Sequence, residues 1–148
     1  MPEPKINRRK SRETAFTLLF EWSFHGDNPE DMIENATLCR ELAADAFARE
    51  LCIKTIGAVS EIDELIERYS QSWKVTRLSK VTLSILRMAL CELTLMDNIP
   101  VGATINEAVE LSKLYTTEDE AAFINGILGK FNRDREAVPP QTGAEPES

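Results

Sequence analysis

Five cations crowd the first twelve residues: Lys5, Arg8, Arg9, Lys10 and Arg12 stand against a single Glu3, so this segment carries +4. The 148-residue chain has a formal net charge of −8, which leaves −12 on everything after residue 12. Short runs of arginine and lysine hold phosphate groups, the first through bidentate bonds and the second as a point charge. An acidic body repels a polyanion at long range, yet screening over about 8–10 Å lets a compact basic end act locally. Two readings fit such a cluster: a phosphate-gripping terminus, or a frayed end that serves only solubility.

A second group with chemical potential is Phe123, which follows the acidic run Glu118-Asp119-Glu120. As a core aromatic it needs no further role; exposed, it is a platform on which an unpaired base stacks. Other chemistry is missing. Gly126, Gly129 and Lys130 form a GxxGK fragment in a helical context, without the spacing of a phosphate loop. His25 is the only histidine, and Cys39, Cys52 and Cys91 are never paired as CxxC, so no zinc site, disulfide framework or Cys/His nucleophile is expected. Glu61, Asp63, Glu64 and Glu67 read as the solvated face of a helix rather than as an acid and base pair. No cofactor, metal or catalytic activity is expected.

The elements that must position these groups are helices. With 43% hydrophobic residues, 6 Gly and 7 Pro, the composition suits one globular domain. Period-2 alternation is absent, whereas 3.6-residue periodicity is nearly continuous. The pattern predicts helices over 7–25, from Pro29, from about Ala43, from an N-cap at Ser60, over 79–96, over 104–114 and over 118–133, which makes an all-α bundle of about seven. Apolar side chains cover the whole circumference of the helix over 79–96, which must therefore be central. Arg87 and Glu92 interrupt it, and each is expected to meet a charge on a neighbouring helix, because an unpaired buried charge is costly.

On a helical wheel with Ala15 at zero, Leu18, Leu19 and Trp22 form a core stripe, and Phe16, Phe20 and Phe24 a second one between about 100° and 180°. Arg8, Arg12 and Arg9 fall at about 20°, 60° and 120°, and read as continuing the aromatic line toward the helix start. Either this helix is deeply buried or its aromatic side docks on a partner. Neither a signal peptide nor a membrane span is expected, and a reducing, cytoplasmic setting fits the cysteines. Residues 1–136 read as one domain with a flexible arm over 1–7, and 137–148 as a disordered tail.

Four blocks in order carry a family resemblance: Arg9-x-x-Arg12-x-x-Ala15-x-x-x-Leu19-Phe20; Ile85-Leu86-Arg87-x-Ala89-x-x-Glu92-Leu93; Ile105-Asn106-Glu107-Ala108-Val109-Glu110-Leu111-x-Lys113 after Pro100; and Phe123-Ile124-Asn125-Gly126-Ile127-Leu128. Over residues 8–131 the chain resembles the NusB family of bacterial transcription antitermination proteins. The resemblance implies two packed helical subdomains and RNA binding without catalysis. It also implies partnership with ribosomal protein S10 (NusE) on the single-stranded boxA element, alongside transcribing RNA polymerase and other Nus factors. By position, Arg8, Arg9, Lys10 and Arg12, with Lys5 ahead of them, match the basic RNA-binding start, and Phe123 with Asp119 the aromatic site that meets a base. Phe20, at a position often held by Tyr, and Phe24 match the S10-facing side. Ala122 stands where many relatives carry a basic residue and Glu120 where Ser is common, which makes the surface beside Phe123 more negative. Two rival classes stay open: an acidic helical adaptor or homodimer that binds no RNA, and a fragment related to ribosomal RNA cytosine methyltransferases, in which this domain also occurs.

Overall fold

A computed structural model describes residues 7–40, 44–71 and 74–137, with the side chains of 39, 40 and 137 excepted. Lys5, the rest of the arm over 1–6 and the tail from 138 onward lie outside the described residues. Seven α-helices follow one another in the described residues: α1 (Arg8–His25), α2 (Pro29–Arg40), α3 (Ala46–Gly57), α4 (Val59–Tyr69), α5 (Lys80–Leu95), α6 (Val101–Tyr115) and α7 (Glu118–Ala137). A 3₁₀ turn over Val75–Arg77 leads into α5. No strand occurs among the described residues, as the periodicity predicted.

Local chemistry sets most boundaries. Asn7 caps α1 by accepting from the Lys10 N–H at 3.1 Å, and Gly26, at φ 68°, closes it by donating to the Trp22 carbonyl at 2.8 Å. Asn28 caps α2 through the Asp31 N–H, with Pro29 as first helical residue. Asp45 caps α3 and Ser79 caps α5 in the same manner. Ser60 does not cap α4: the helix starts at Val59, and Ala58, at φ −116° and ψ 22°, is the single residue that breaks α3 from it. Helix α6 begins earlier than the apolar pattern suggests, because the Pro100 carbonyl already accepts from the Ala103 and Thr104 N–H groups.

Helices α1–α3 pack as one group and α4–α7 as another, with α5 against both. From Thr82 to Leu93 every residue of α5 except Arg87 is buried, as its all-round apolar pattern requires. Both charges in it find partners on other helices, as expected. Arg87 makes a bidentate bond with Asp63 of α4, at 2.9 and 2.8 Å. Glu92 receives a bidentate bond from Arg12 of α1, at 2.7 Å on each side, and the Thr104 hydroxyl at 2.9 Å.

These contacts also modify the reading of α4 as carrying a purely solvated acidic face. Asp63 holds Arg87, and Glu67 accepts the Val75 N–H at 3.0 Å, so two of its four carboxylates fasten neighbouring segments. Helices α1 and α5 run antiparallel, since Arg12 near the start of α1 meets Glu92 near the end of α5, while Phe24 near the end of α1 lies 5.3 Å from Lys80 Nζ at the start of α5. Helix α7 runs alongside α5, from Glu120 at Thr82 to Arg135, which donates to the Leu93 carbonyl.

Cys52 and Cys91 are unpaired thiols in the core. Burial pushes Cys52 up to about 12, with the nearby Cys91 adding to the shift, and burial pushes Cys91 up to about 11. Raised values leave both as thiols well above neutral pH, and the thiolate is the reactive form. Iodoacetamide at pH 8 is therefore expected to spare Cys52 and Cys91 in the folded protein and to modify both in denaturant. Peptide mass mapping checks this, and rapid native labelling of either would contradict the packing.

Candidate nucleic-acid interface

The start of α1 divides its arginines by their angle around the helix. Arg12 projects within the sector of Ala15 and Leu19, toward the core, and is 5% exposed. Its fork is consumed by Glu92. This corrects the expectation that Arg12 continues a surface line of guanidinium groups: the angle that seemed to extend the aromatic stripe points instead into the interface with α5. Arg8 has a similar angle but sits one turn earlier, beyond the edge of the core, where it is exposed and lies 4.2 Å over the Phe47 ring of α3. Stacking on a ring fixes the guanidinium plane while leaving its N–H groups for an acceptor.

Arg9 is exposed and makes a bidentate bond with Glu107 of α6, at 2.8 Å on each side. The hydrogen bond and charge of Arg9 hold the Glu107 carboxyl below its ordinary value. Water reaches this pair, so it is weakly held, and another anion can compete for the guanidinium. Lys10 is exposed, and its side chain has no acidic partner among the described residues. Three of the expected cations, Arg8, Arg9 and Lys10, thus share one exposed tip. None of them gains from the helix dipole, which disfavours cations at an N-terminus.

The aromatic stripe of α1 changes character along its length, buried toward the middle of the helix and exposed at its end. Phe16 is buried, with its ring centroid 5.1 Å from that of Tyr115 on α6. Phe20 is half-buried, and Phe24, edge-on to it at 5.1 Å, is 57% exposed. Leu114 and Tyr115 at the end of α6 are exposed too. The rings of Phe24, Phe20, Phe16 and Tyr115 form a continuous apolar path from the end of α1 to the end of α6.

At the start of α7, Asp119 is exposed and Phe123 is half-buried, packed against the core with one side toward a recess. Arg77, Leu78, Ser79, Thr82, Asp119 and Glu120 line that recess with it. Phe123 is therefore part of the core wall on one side and a reachable ring on the other. Glu120 adds less free negative charge than the sequence suggests, because its carboxylate accepts the hydroxyls of Ser79 at 3.1 Å and Thr82 at 2.5 Å.

The two candidate patches lie at opposite ends of the bundle. Sixteen residues of α1 separate Arg8 from Phe24, or about 24 Å at 1.5 Å per residue, and Phe24 is at the same end as the Phe123 recess. Sequence reasoning missed the cations at that end. Lys74, Arg77 and Lys80 are all exposed, and three-residue spacing of basic residues in a segment lacking apolar periodicity was the only available signal. Among the described residues, no cluster of three His, Cys, Asp or Glu could hold a metal, and no helix is long and apolar enough to cross a membrane.

Relatives agree with this architecture. Transcription antitermination protein NusB of Clostridium botulinum (strain Kyoto / Type A2) is 40% identical over 144 residues, covering 85% of this chain and 99% of its own. The structure of T. maritima NusB superposes with a TM-score of 0.72 at 34% identity, over 93% of this chain and 96% of that one. A structure of antitermination factors NusB and NusE in complex with double-stranded RNA superposes with a TM-score of 0.76 at 26% identity, over 86% of this chain and 96% of that one. The sequence model of the NusB family matches residues 9–133, and the chain belongs to that family.

Proposed function

We propose that this protein binds the boxA element of nascent RNA together with ribosomal protein S10 (NusE), and thereby acts with RNA polymerase and other Nus factors in antitermination of ribosomal RNA operons. The observation that carries this reading is the exposed tip of Arg8, Arg9 and Lys10 on an otherwise acidic molecule whose family includes a NusB solved with NusE and RNA. Phosphates are held by these cations and by Lys5 ahead of them, while a base stacks on Phe123 and its edge meets the Asp119 carboxylate. Backbone contacts orient the strand without reading it, so sequence choice falls to contacts with unstacked bases. This role is binding, with no bond made or broken by the protein.

S10 docks on the apolar path from Phe20 and Phe24 toward Tyr115, and it raises RNA affinity by adding cations beside a body that itself repels phosphate. A homodimer would use the same rings, and light scattering with and without S10 separates the two. Anisotropy titration of boxA and scrambled RNA should show preference for boxA and tighter binding with S10. For three to five neutralised phosphates, log K should fall against log salt with a slope of about −2 to −3.5. A slope near zero would reject this reading in favour of a protein-only adaptor, and equal salt-dependent binding of boxA and scrambled RNA would reject its choice of boxA.

A further inference from the structure

We propose that Arg77 and Lys80, with Lys74 one turn before them, form a second phosphate-holding surface that carries the RNA strand past the Phe123 recess. The inference rests on the RNA-binding reading above and extends it to residues that reading does not include. Arg77 lines the same recess as Phe123, and no acidic side chain among the described residues pairs with it, although Asp119 and Glu120 line that recess too. Glu120 is turned instead to the hydroxyls of Ser79 and Thr82 at the start of α5. That carboxylate already complements the helix terminus, so an incoming anion is left to the side-chain cations around the ring.

Lys80 reaches sideways over the exposed Phe24 ring, with its Nζ 5.3 Å from the ring centroid. The ammonium thereby sits at the end of the apolar path of α1, on the residue that follows Ser79 of the recess. Lys74 belongs to the same turn, since its carbonyl accepts the Arg77 N–H at 2.8 Å. A guanidinium and an ammonium beside two reachable rings form the combination that binds single-stranded nucleic acid: cations follow the backbone while bases stack.

Distance gives this surface a task in that reading. The α1 tip and the Phe123 end are about 24 Å apart, roughly seven nucleotides at the stacked spacing of about 3.4 Å, and fewer if the strand is extended. A strand gripped only at Arg8, Arg9 and Lys10 would present its far bases to Phe123 with their phosphates unheld beside Asp119. Arg77 and Lys80 supply the missing charge at that end.

The test compares salt dependence of 12-nucleotide boxA RNA binding in three double variants of the full chain, each checked by thermal unfolding. Arg77→Gln with Lys80→Gln should make the log K against log salt slope shallower by about 1.4, at about 0.7 per lost phosphate contact. Lys130→Gln with Arg133→Gln removes the same charge from α7 away from the recess and should leave the slope unchanged. Arg8→Gln with Lys10→Gln tests the α1 tip alone. If the tip variant weakens binding while the Arg77 and Lys80 variant keeps the wild-type slope, the second surface is rejected and the α1 reading stands. Equal shifts in the recess variant and the α7 control would also reject it, as an effect of net charge. Absence of salt-dependent binding in the unaltered protein would overturn the functional reading itself.

Discussion

Glu92→Leu is expected to destabilise the protein by about 3–5 kcal/mol, with Arg12→Leu costing a similar amount, measured by urea unfolding. Each substitution strands one half of a buried bidentate pair whose side chains are only 6% and 1% exposed. The lost attraction is the smaller part of the cost; most of it comes from leaving a desolvated charge without a partner. Glu92→Leu also deprives the buried Thr104 hydroxyl of its acceptor. The double variant, Arg12→Leu with Glu92→Leu, should recover a large part of the loss, since a packed apolar pair carries no desolvation cost. A double variant as unstable as the sum of the singles would show that the two act independently, contrary to the geometry.

This result bears on how any RNA-binding defect at Arg12 is to be understood. Arg12 ties the start of α1 to the end of α5, and Arg8, Arg9 and Lys10 precede it on the same helix. Loosening that tie displaces the exposed cations. A defect in an Arg12 variant should therefore track lost stability, whereas Arg8→Gln should weaken RNA binding with the unfolding midpoint nearly unchanged. Arg12 thus contributes to the proposed interface through position.

The same distinction separates what was legible in the sequence from what was not. Helix α5 announced its central place because its apolar residues leave no polar face, and its two charges announced partners because burial demands them. Helix starts near Asn7, Pro29 and Ser79 were equally readable, and short-range capping chemistry is what sets them. Arg12 was misread because a wheel gives an angle without the depth of the neighbouring helix. The exposure of Phe24 and the burial of Phe16 depend on where α6 ends, which no local pattern in α1 records. The surroundings of Phe123 were hidden for a related reason. Arg77 comes from a turn 46 residues earlier, and the use of Glu120 by Ser79 and Thr82 requires α5 and α7 to be side by side.

Phe123→Leu should cost boxA binding about 1–3 kcal/mol, the usual worth of a base stacked on an aromatic ring. At 1.4 kcal/mol per factor of ten, this is a loss of roughly 5- to 150-fold. Leucine is the informative replacement because Phe123 also packs against the core: alanine would open a cavity, while leucine keeps an apolar side chain at less than about 1.5 kcal/mol of stability. The salt slope should stay at its wild-type value, since stacking releases no counterions, and this separates the ring from Arg77 beside it. Asp119→Ala should behave differently again: removing an exposed carboxylate lowers repulsion toward every RNA, so scrambled RNA binds more tightly while the margin in favour of boxA narrows. If Phe123→Leu bound boxA like the unaltered protein in the presence of S10, the ring would serve the fold alone, and base recognition would have to lie elsewhere on the strand's path.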